Sequence, residues 1–313
     1  MKKNTDYYHM QRFGLTGNPF LLSPDPFYYF PASPHEAARN VLKYGIERGE
    51  GFMVLSGPAG TGKTLLLRTL MEKLTPNKQT AMVLTPSVTP EQLLYMLLNE
   101  LNCSHIEQKD SIPELFQLFQ ECLIRFAEKG KEIVIVVDEA QLMPLETLES
   151  LRLLSNLETS NRKLIQIILS GQPEIEEILQ DPRLGQLTQR ITIIERLRPL
   201  TLGETSQYIT YRLAKAGRPD LTPSYWALRL LHRRSRGIPR LINRLMDRSL
   251  LIAASNNSNS IGFRHIWAAS STLPQPQWVD FAPQIVVNRS AEVVLVAAMV
   301  ALGLVTLKEF GIW

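Results

Sequence analysis

Three short stretches combine residue types and spacings that suit phosphate chemistry. Gly57-Pro58-Ala59-Gly60-Thr61-Gly62-Lys63-Thr64 fits the pattern G-x-x-x-x-G-K-[ST], follows an apolar run and opens a helical one. Glycines at that spacing let backbone N–H groups curl around phosphate oxygens, and a helix N-terminus adds positive potential. Lys63 is placed to reach β- and γ-phosphates, Thr64 to ligate Mg²⁺, and the phosphate-holding set runs from Gly57 to Leu65. The second stretch, IVIVVDEAQ (133–141), ends a buried-strand run in Asp138 and Glu139. An acid at the carboxyl edge of a parallel strand lies where open α/β sheets bind ligands. Asp138 is therefore a holder of Mg²⁺ through water, and Glu139 a base that polarises the water attacking a γ-phosphate. The pair of motifs implies ATP and Mg²⁺ as cofactors and ATP hydrolysis as the reaction.

The third stretch is KLIQIILSGQPE (163–174). Ser170 or Gln172 offers a polar side chain to the γ-phosphate or its water, unless this is an ordinary strand-to-loop transition with a turn glycine. Two arginines stand outside these motifs: Arg190 just before ITII, and Arg240 in RGIPRLIN at a helix start. Charge developing on a γ-phosphate needs further cations, from the same chain or a neighbour. For any arginine in so basic a region a surface role is the alternative.

The elements that must position these residues read as an α/β chain. Strands are expected at Phe52–Ser56, Thr80–Leu84, Ile133–Val137, Leu164–Ser170 and Ile191–Ile194, several of them the β-branched runs of a doubly buried parallel sheet. Helices are expected from Ser33-Pro34 to Arg48, then at Lys63–Leu74, Pro90–Leu101, Ile112–Lys129, Pro144–Glu158 and Glu174–Leu179. Beyond Pro199 only helical patterns follow, near 203–216, 223–235, 238–255 and 263–270. The layout is an extended aromatic segment (1–34), a doubly wound core (35–198), a helical lid (199–270), a Pro-rich linker (271–290) and an apolar stretch with a short tail (291–313).

A chain of 313 residues with 44% hydrophobic and 20% charged content is ordinary for a folded globular protein. Its two cysteines, Cys103 and Cys122, form no C-x-x-C, which makes a disulfide framework improbable and a reducing compartment the simpler reading. The five histidines lack metal-ligand spacing, and MKKNTDYYHMQRFG has no apolar run to make a signal peptide. The net charge of +4 is uneven: residues 199–270 hold eleven Lys or Arg against three acids, leaving the rest net negative. That lobe suits an anionic partner, or is a solvated helical surface.

With these pieces placed, the chain resembles an AAA+ ATPase, with its five-stranded parallel sheet and α-helical lid. More narrowly it is similar to the ExeA-like (GspA-type) ATPases of the general secretion pathway and their pilus-assembly relatives, from about Phe13 to Ala269. The phrases that carry the likeness are FGL (13–15), NPF (18–20), PDP (24–26), DEAQ (138–141), LRLLSNLE (151–158), IILSGQPE (167–174), LTQRI (187–191), LRPL (197–200) and GIPRLIN (237–243). The resemblance gives Lys63, Thr64, Asp138 and Glu139 the roles argued above. It makes Ser170 or Gln172 the sensor 1 residue, Arg240 the sensor 2 arginine and Arg190 an arginine finger supplied to a neighbouring subunit, hence a homo-oligomer. The aromatic N-terminal segment is expected to help cover the adenine.

By the same resemblance the partner is a membrane-embedded secretion or pilus assembly protein, at the cytoplasmic face of the inner membrane. Longer relatives carry one span followed by a periplasmic peptidoglycan-binding module, whereas here six residues follow the apolar run. Residues 293–307 are fifteen uncharged positions, about 22 Å of helix against a hydrocarbon core of roughly 30 Å. Their all-round apolarity and the preceding linker favour a single-pass anchor over a helix packed on the body. The alternative function is a DNA-bound regulatory ATPase of the TniB-like transposition type, suggested by Arg229, Arg233, Arg236, Arg240, Arg244 and Arg248.

Overall fold

The computed structural model describes residues 8–23, 25–84, 86–103, 111–156, 158–159 and 162–272. Five strands form one parallel sheet: β1 (Phe52–Ser56), β2 (Lys78–Val83), β3 (Glu132–Val137), β4 (Ile165–Gly171) and β5 (Ile191–Arg196). Their spatial order is β2-β3-β4-β1-β5, which puts β1 between β4 and β5. Alternation along the strands feeds two cores. Phe52, Val54, Ile133, Ile135, Val137, Ile167 and Leu169 enter one, while Met53, Leu55, Val134, Val136 and Ile168 enter the other.

Helices cover both faces. Leu93 and Leu97 of α4 (Pro90–Glu100), Leu115 and Phe119 of α5 (Ile112–Glu128) and Leu148 and Leu151 of α6 (Leu145–Leu154) fill the first core. Leu42 and Ile46 of α2 (Ser33–Arg48) and Leu66, Leu67 and Leu70 of α3 (Lys63–Glu72) fill the second. Each such side chain removed from water stabilises the fold by roughly 1.5–3 kcal/mol. The short helices α7 (Glu174–Ile178) and α8 (Gly185–Thr188) lead from β4 towards β5.

Every expected strand is present, and the shifted ends have polar causes. β2 begins at Lys78 because Lys78 lies opposite Glu132 in register and pairs with it; Gln166 also donates to Glu132, at 3.1 Å. The helix expected at Pro144–Glu158 stops at Leu154, and Glu158–Thr159 instead pairs antiparallel with Arg162–Lys163. A second correction concerns the cysteines: Cys103 and Cys122 are joined as a disulfide, their Cα atoms 5.7 Å apart. Packing of α4 on α5 brings these two distant positions together, a contact that a C-x-x-C search does not test.

The lid consists of α9 (Leu202–Lys215), α10 (Tyr225–Ser235), α11 (Pro239–Ser255) and α12 (Phe263–Ser271). Thr201 caps α9: its hydroxyl accepts from Glu204 N at 3.3 Å, and its own N–H donates to Glu204 Oε2 at 2.8 Å. Arg198 pairs with the same carboxylate and holds it down to about 2.

The first 34 residues are not extended throughout. Tyr8–Phe13 forms α1, which packs on α11, and buries Met10 and Phe13. The segment is strapped to the lid: Thr16 N donates to Ala216 O at 3.1 Å, Asn18 Nδ2 to Asp247 at 3.0 Å, and Arg218 to Phe13 O. Among the described residues no helix is long and apolar enough to cross a membrane. The expected anchor at 293–307, and all but the first two residues of the linker, lie outside the described residues.

Candidate functional site

β1 ends at Ser56 and delivers the glycine-rich loop to the carboxyl edge of the sheet, where Gly57 N donates to Gly171 O at 3.2 Å. The loop turns through left-handed backbone at Gly60 (φ 80°) and Gly62 (φ 105°), conformations that side chains resist. Gly60 has a second reason: a Cβ there would come within 2.7 Å of the Arg240 Cβ, so only glycine lets loop and lid close on one another. Lys63 opens α3, is 4% exposed, and donates to Gly57 O at 2.6 Å and Pro58 O at 3.3 Å. Burial pushes its ammonium below the ordinary value, against the pull of Glu139, Asp138 and Glu174. A buried cation held only by carbonyls is prepared for an anion.

β3 ends beside that loop and presents Asp138, 3% exposed. Its Oδ2 accepts from Thr64 Oγ1 at 2.5 Å, and its Oδ1 from Ser170 Oγ at 2.8 Å and Glu139 N at 3.1 Å. A hydroxyl and a carboxylate in contact beside a phosphate-shaped loop are the hard oxygen donors that Mg²⁺ takes together with phosphate oxygens. Thr64 and Asp138 therefore fit that ion.

Glu139 adopts a left-handed backbone (φ 52°), which costs a residue with a side chain about 1–3 kcal/mol. Its Oε2 accepts from Gln141 Nε2 at 2.7 Å and Gln172 Nε2 at 3.5 Å, while Gln172 N donates to Gln141 Oε1 at 3.0 Å. The two sensor candidates thus reach different acids: Ser170 holds Asp138, and Gln172 faces Glu139. Gln141, quoted in DEAQ but given no role from sequence, bridges them. Gly171 admits it, since a Cβ there would stand 2.8 Å from Gln141 Oε1.

The lid completes a cavity of about 310 Å³ over Lys63, Thr64 and Glu139, lined also by Arg240, Arg212, Tyr208 and Asn243. Arg240 is held at its backbone, where its N–H donates to Gly60 O at 3.2 Å. Arg212 escaped the sequence reading because it lies in an unremarkable helical pattern. It is 4% exposed, donates to Tyr208 Oη at 2.8 Å, and faces the rings of Tyr28 and Tyr208 at 5.4 and 5.2 Å. Its Nε has no hydrogen-bond partner among the described residues.

The N-terminal strap reaches the cavity through Leu21, Leu22, Ser23 and Asp25 rather than through its aromatic rings. Phe20 is buried, and Phe30 packs on Tyr208 and Tyr211 of α9. His35, also missed, lies under the loop with Nε2 2.8 Å from Thr61 O; burial lowers its pKa, so it stands as a neutral donor there. Asp138, Ser170 and Gln172 stand behind the cavity wall, tied to Thr64 and Glu139 by hydrogen bonds, whereas Arg190 is not brought to the site. It precedes β5 at the amino edge of the sheet, where it donates to Ser155 Oγ at 3.0 Å.

This sheet order, phosphate loop, acidic strand end and helical lid define an AAA+ P-loop protein. Residues 46–179 match the AAA domain family. Within that class the chain is similar to the ExeA-like group. It is 41% identical over 255 residues to general secretion pathway protein A of Aeromonas hydrophila, covering 81% of this chain and 46% of that one, so it spans about half of that relative's length. Among solved structures it is similar to Cdc6p of Pyrobaculum aerophilum (TM-score 0.62, 21% identity, 78% of this chain and 67% of that one). It is likewise similar to RuvB of Thermotoga maritima (TM-score 0.53, 17% identity, 79% and 73%). At these identities the structures speak for the fold alone.

Proposed function

We propose that the chain binds ATP with Mg²⁺ and hydrolyses it, working as a homo-oligomer tethered to the inner membrane in the assembly of a secretion or pilus machine. The observation that carries the hydrolytic reading is the contact of Thr64 and Asp138 beside buried Lys63, with Glu139 one residue on. Lys63 exchanges its carbonyl partners for phosphate oxygens. Thr64 and Asp138 would hold Mg²⁺, which when bound would supply charge neutralisation to the phosphoryl group. Glu139 takes the proton of the attacking water at its carboxylate, kept in place by Gln141 and Gln172. Ser170 fixes the Asp138 carboxylate, and Arg240 brings lid charge to the same cavity.

Glu139→Gln is expected to keep ATP affinity and lose hydrolysis by at least about a hundredfold, the scale of a lost general base. Lys63→Ala is expected to lose binding. Fluorescent-nucleotide titration and phosphate release report the two separately, and normal turnover in Glu139→Gln would end the assignment of the base. The tether rests on the apolar run 293–307 and the family; membrane fractionation of the full chain against one ending at Ser290 tests it.

A further inference from the structure

Four large aromatic side chains stand out in water on the lid. Tyr225 and Trp226 of α10 are 58% and 65% exposed, Phe263 and Trp267 of α12 are 48% and 57% exposed, and the two helices pack on one another. Arginines share these faces at helical spacing: Arg229 and Arg233 lie three and seven residues after Trp226 on α10, and Arg264 lies three before Trp267 on α12. Tyr225 meets Trp226 edge-on with ring centroids 5.3 Å apart, and the Arg229 guanidinium lies 5.9 Å from the Trp226 ring. Neither helix contains an acidic residue. The outward sides of α10 and α12 are thus aromatic and positive, and no element among the described residues covers these rings.

We propose that this face docks the ATPase on an anionic lipid surface, a reading that rests on the membrane tether above. Tryptophan and tyrosine settle at the headgroup level, where the ring meets the acyl boundary and the polar edge meets water. Arginine beside them meets lipid phosphate, each such residue contributing roughly fivefold to partition onto an anionic surface. A DNA duplex would satisfy the arginines but offers no apolar layer to four rings. Position in the chain favours lipid as well: Thr272 follows α12 directly, and the apolar run starts at Val293. That connection reaches at most about 70 Å extended, so an anchored tail keeps the face near the bilayer at high effective concentration. A weak patch is then enough.

The test uses the full chain in three versions in which Trp226, Trp267 or Trp313 is the only tryptophan left, the others being changed to Phe. Each is mixed with vesicles of brominated phosphatidylcholine, alone or with phosphatidylglycerol. Trp226 and Trp267 fluorescence is expected to be quenched on the phosphatidylglycerol vesicles. It should recover on phosphatidylcholine alone, and in Arg229→Glu/Arg233→Glu/Arg264→Glu, whose urea midpoint confirms folding. Trp313 reports the tail separately. Quenching of Trp313 with Trp226 and Trp267 silent overturns the docking face and leaves the tether standing. Quenching of Trp226 and Trp267 with Trp313 silent supports the face and removes the tether. If duplex DNA changes their emission while anionic vesicles do not, the face belongs to nucleic acid and the proposal fails.

Discussion

Arg212 shows how a single residue can be read through its unpaid interactions. A buried guanidinium is stable when carboxylates or several acceptors meet it. Here a tyrosine hydroxyl and two ring faces do part of that work, and among the described residues Nε meets no acceptor at the wall of the cavity that holds Lys63. An anionic or acceptor-rich ligand in that cavity would satisfy it. Arg212→Met is therefore expected to raise the KM for ATP by about 10- to 100-fold, the worth of a charge-assisted hydrogen bond, with kcat changed much less. Steady-state kinetics with a parallel melting curve decides the matter. A lowered melting temperature with an unaltered KM would make Arg212 a packing residue and no more.

At the scale of elements, the join between α10 and α11 sets where Arg240 begins. Arg236 and Gly237 are both left-handed (φ 51° and 73°), and a Cβ on Gly237 would overlap the Leu200 carbonyl, which stands at the start of the lid. Gly237→Ala must move one of the two chains apart, a backbone clash expected to cost more than about 2 kcal/mol. Since Arg240 N donates to Gly60 O, the same shift should weaken ATP binding. A urea midpoint equal to that of the parent chain would refute this account of the join.

The sequence made much of this level legible. β-branched runs located β3 and β4, the short apolar run FMVLS located β1, and α2, α4, α5 and α11, each with a proline in its first turn, were located within a residue or two. What it hid depends on contacts between distant segments. Lys78 joins β2 only because Glu132 lies opposite, α1 is stable only against α11, and Gln141 becomes a bridge only once β3 and β4 are neighbours. The motif residues were readable for a related reason: glycine, lysine and paired acids at fixed spacing encode their chemistry locally. Arg212, His35 and Gln141 act through the third dimension and leave no such spacing.

For the whole molecule the informative position is the one that lies farthest from its own site. Arg190 precedes Ile191, which pairs with Phe52 at the start of β1, whereas the phosphate loop follows Ser56 at the other end of that strand. Five residues of strand, roughly 17 Å at about 3.3 Å each, separate the two edges of the sheet. An arginine there serves the γ-phosphate only of another copy, which requires a head-to-tail arrangement with one subunit's amino edge facing its neighbour's cavity. Arg190→Ala and Lys63→Ala should each be inactive alone. Mixed in equal amounts, they place intact cavities beside intact arginines at a quarter of the interfaces, so activity should return to roughly a quarter of the parent rate if subunits exchange at random. Phosphate release measured across mixing ratios gives the answer: a maximum at intermediate ratios supports the shared site, and a flat baseline at every ratio confines Arg190 to its own chain.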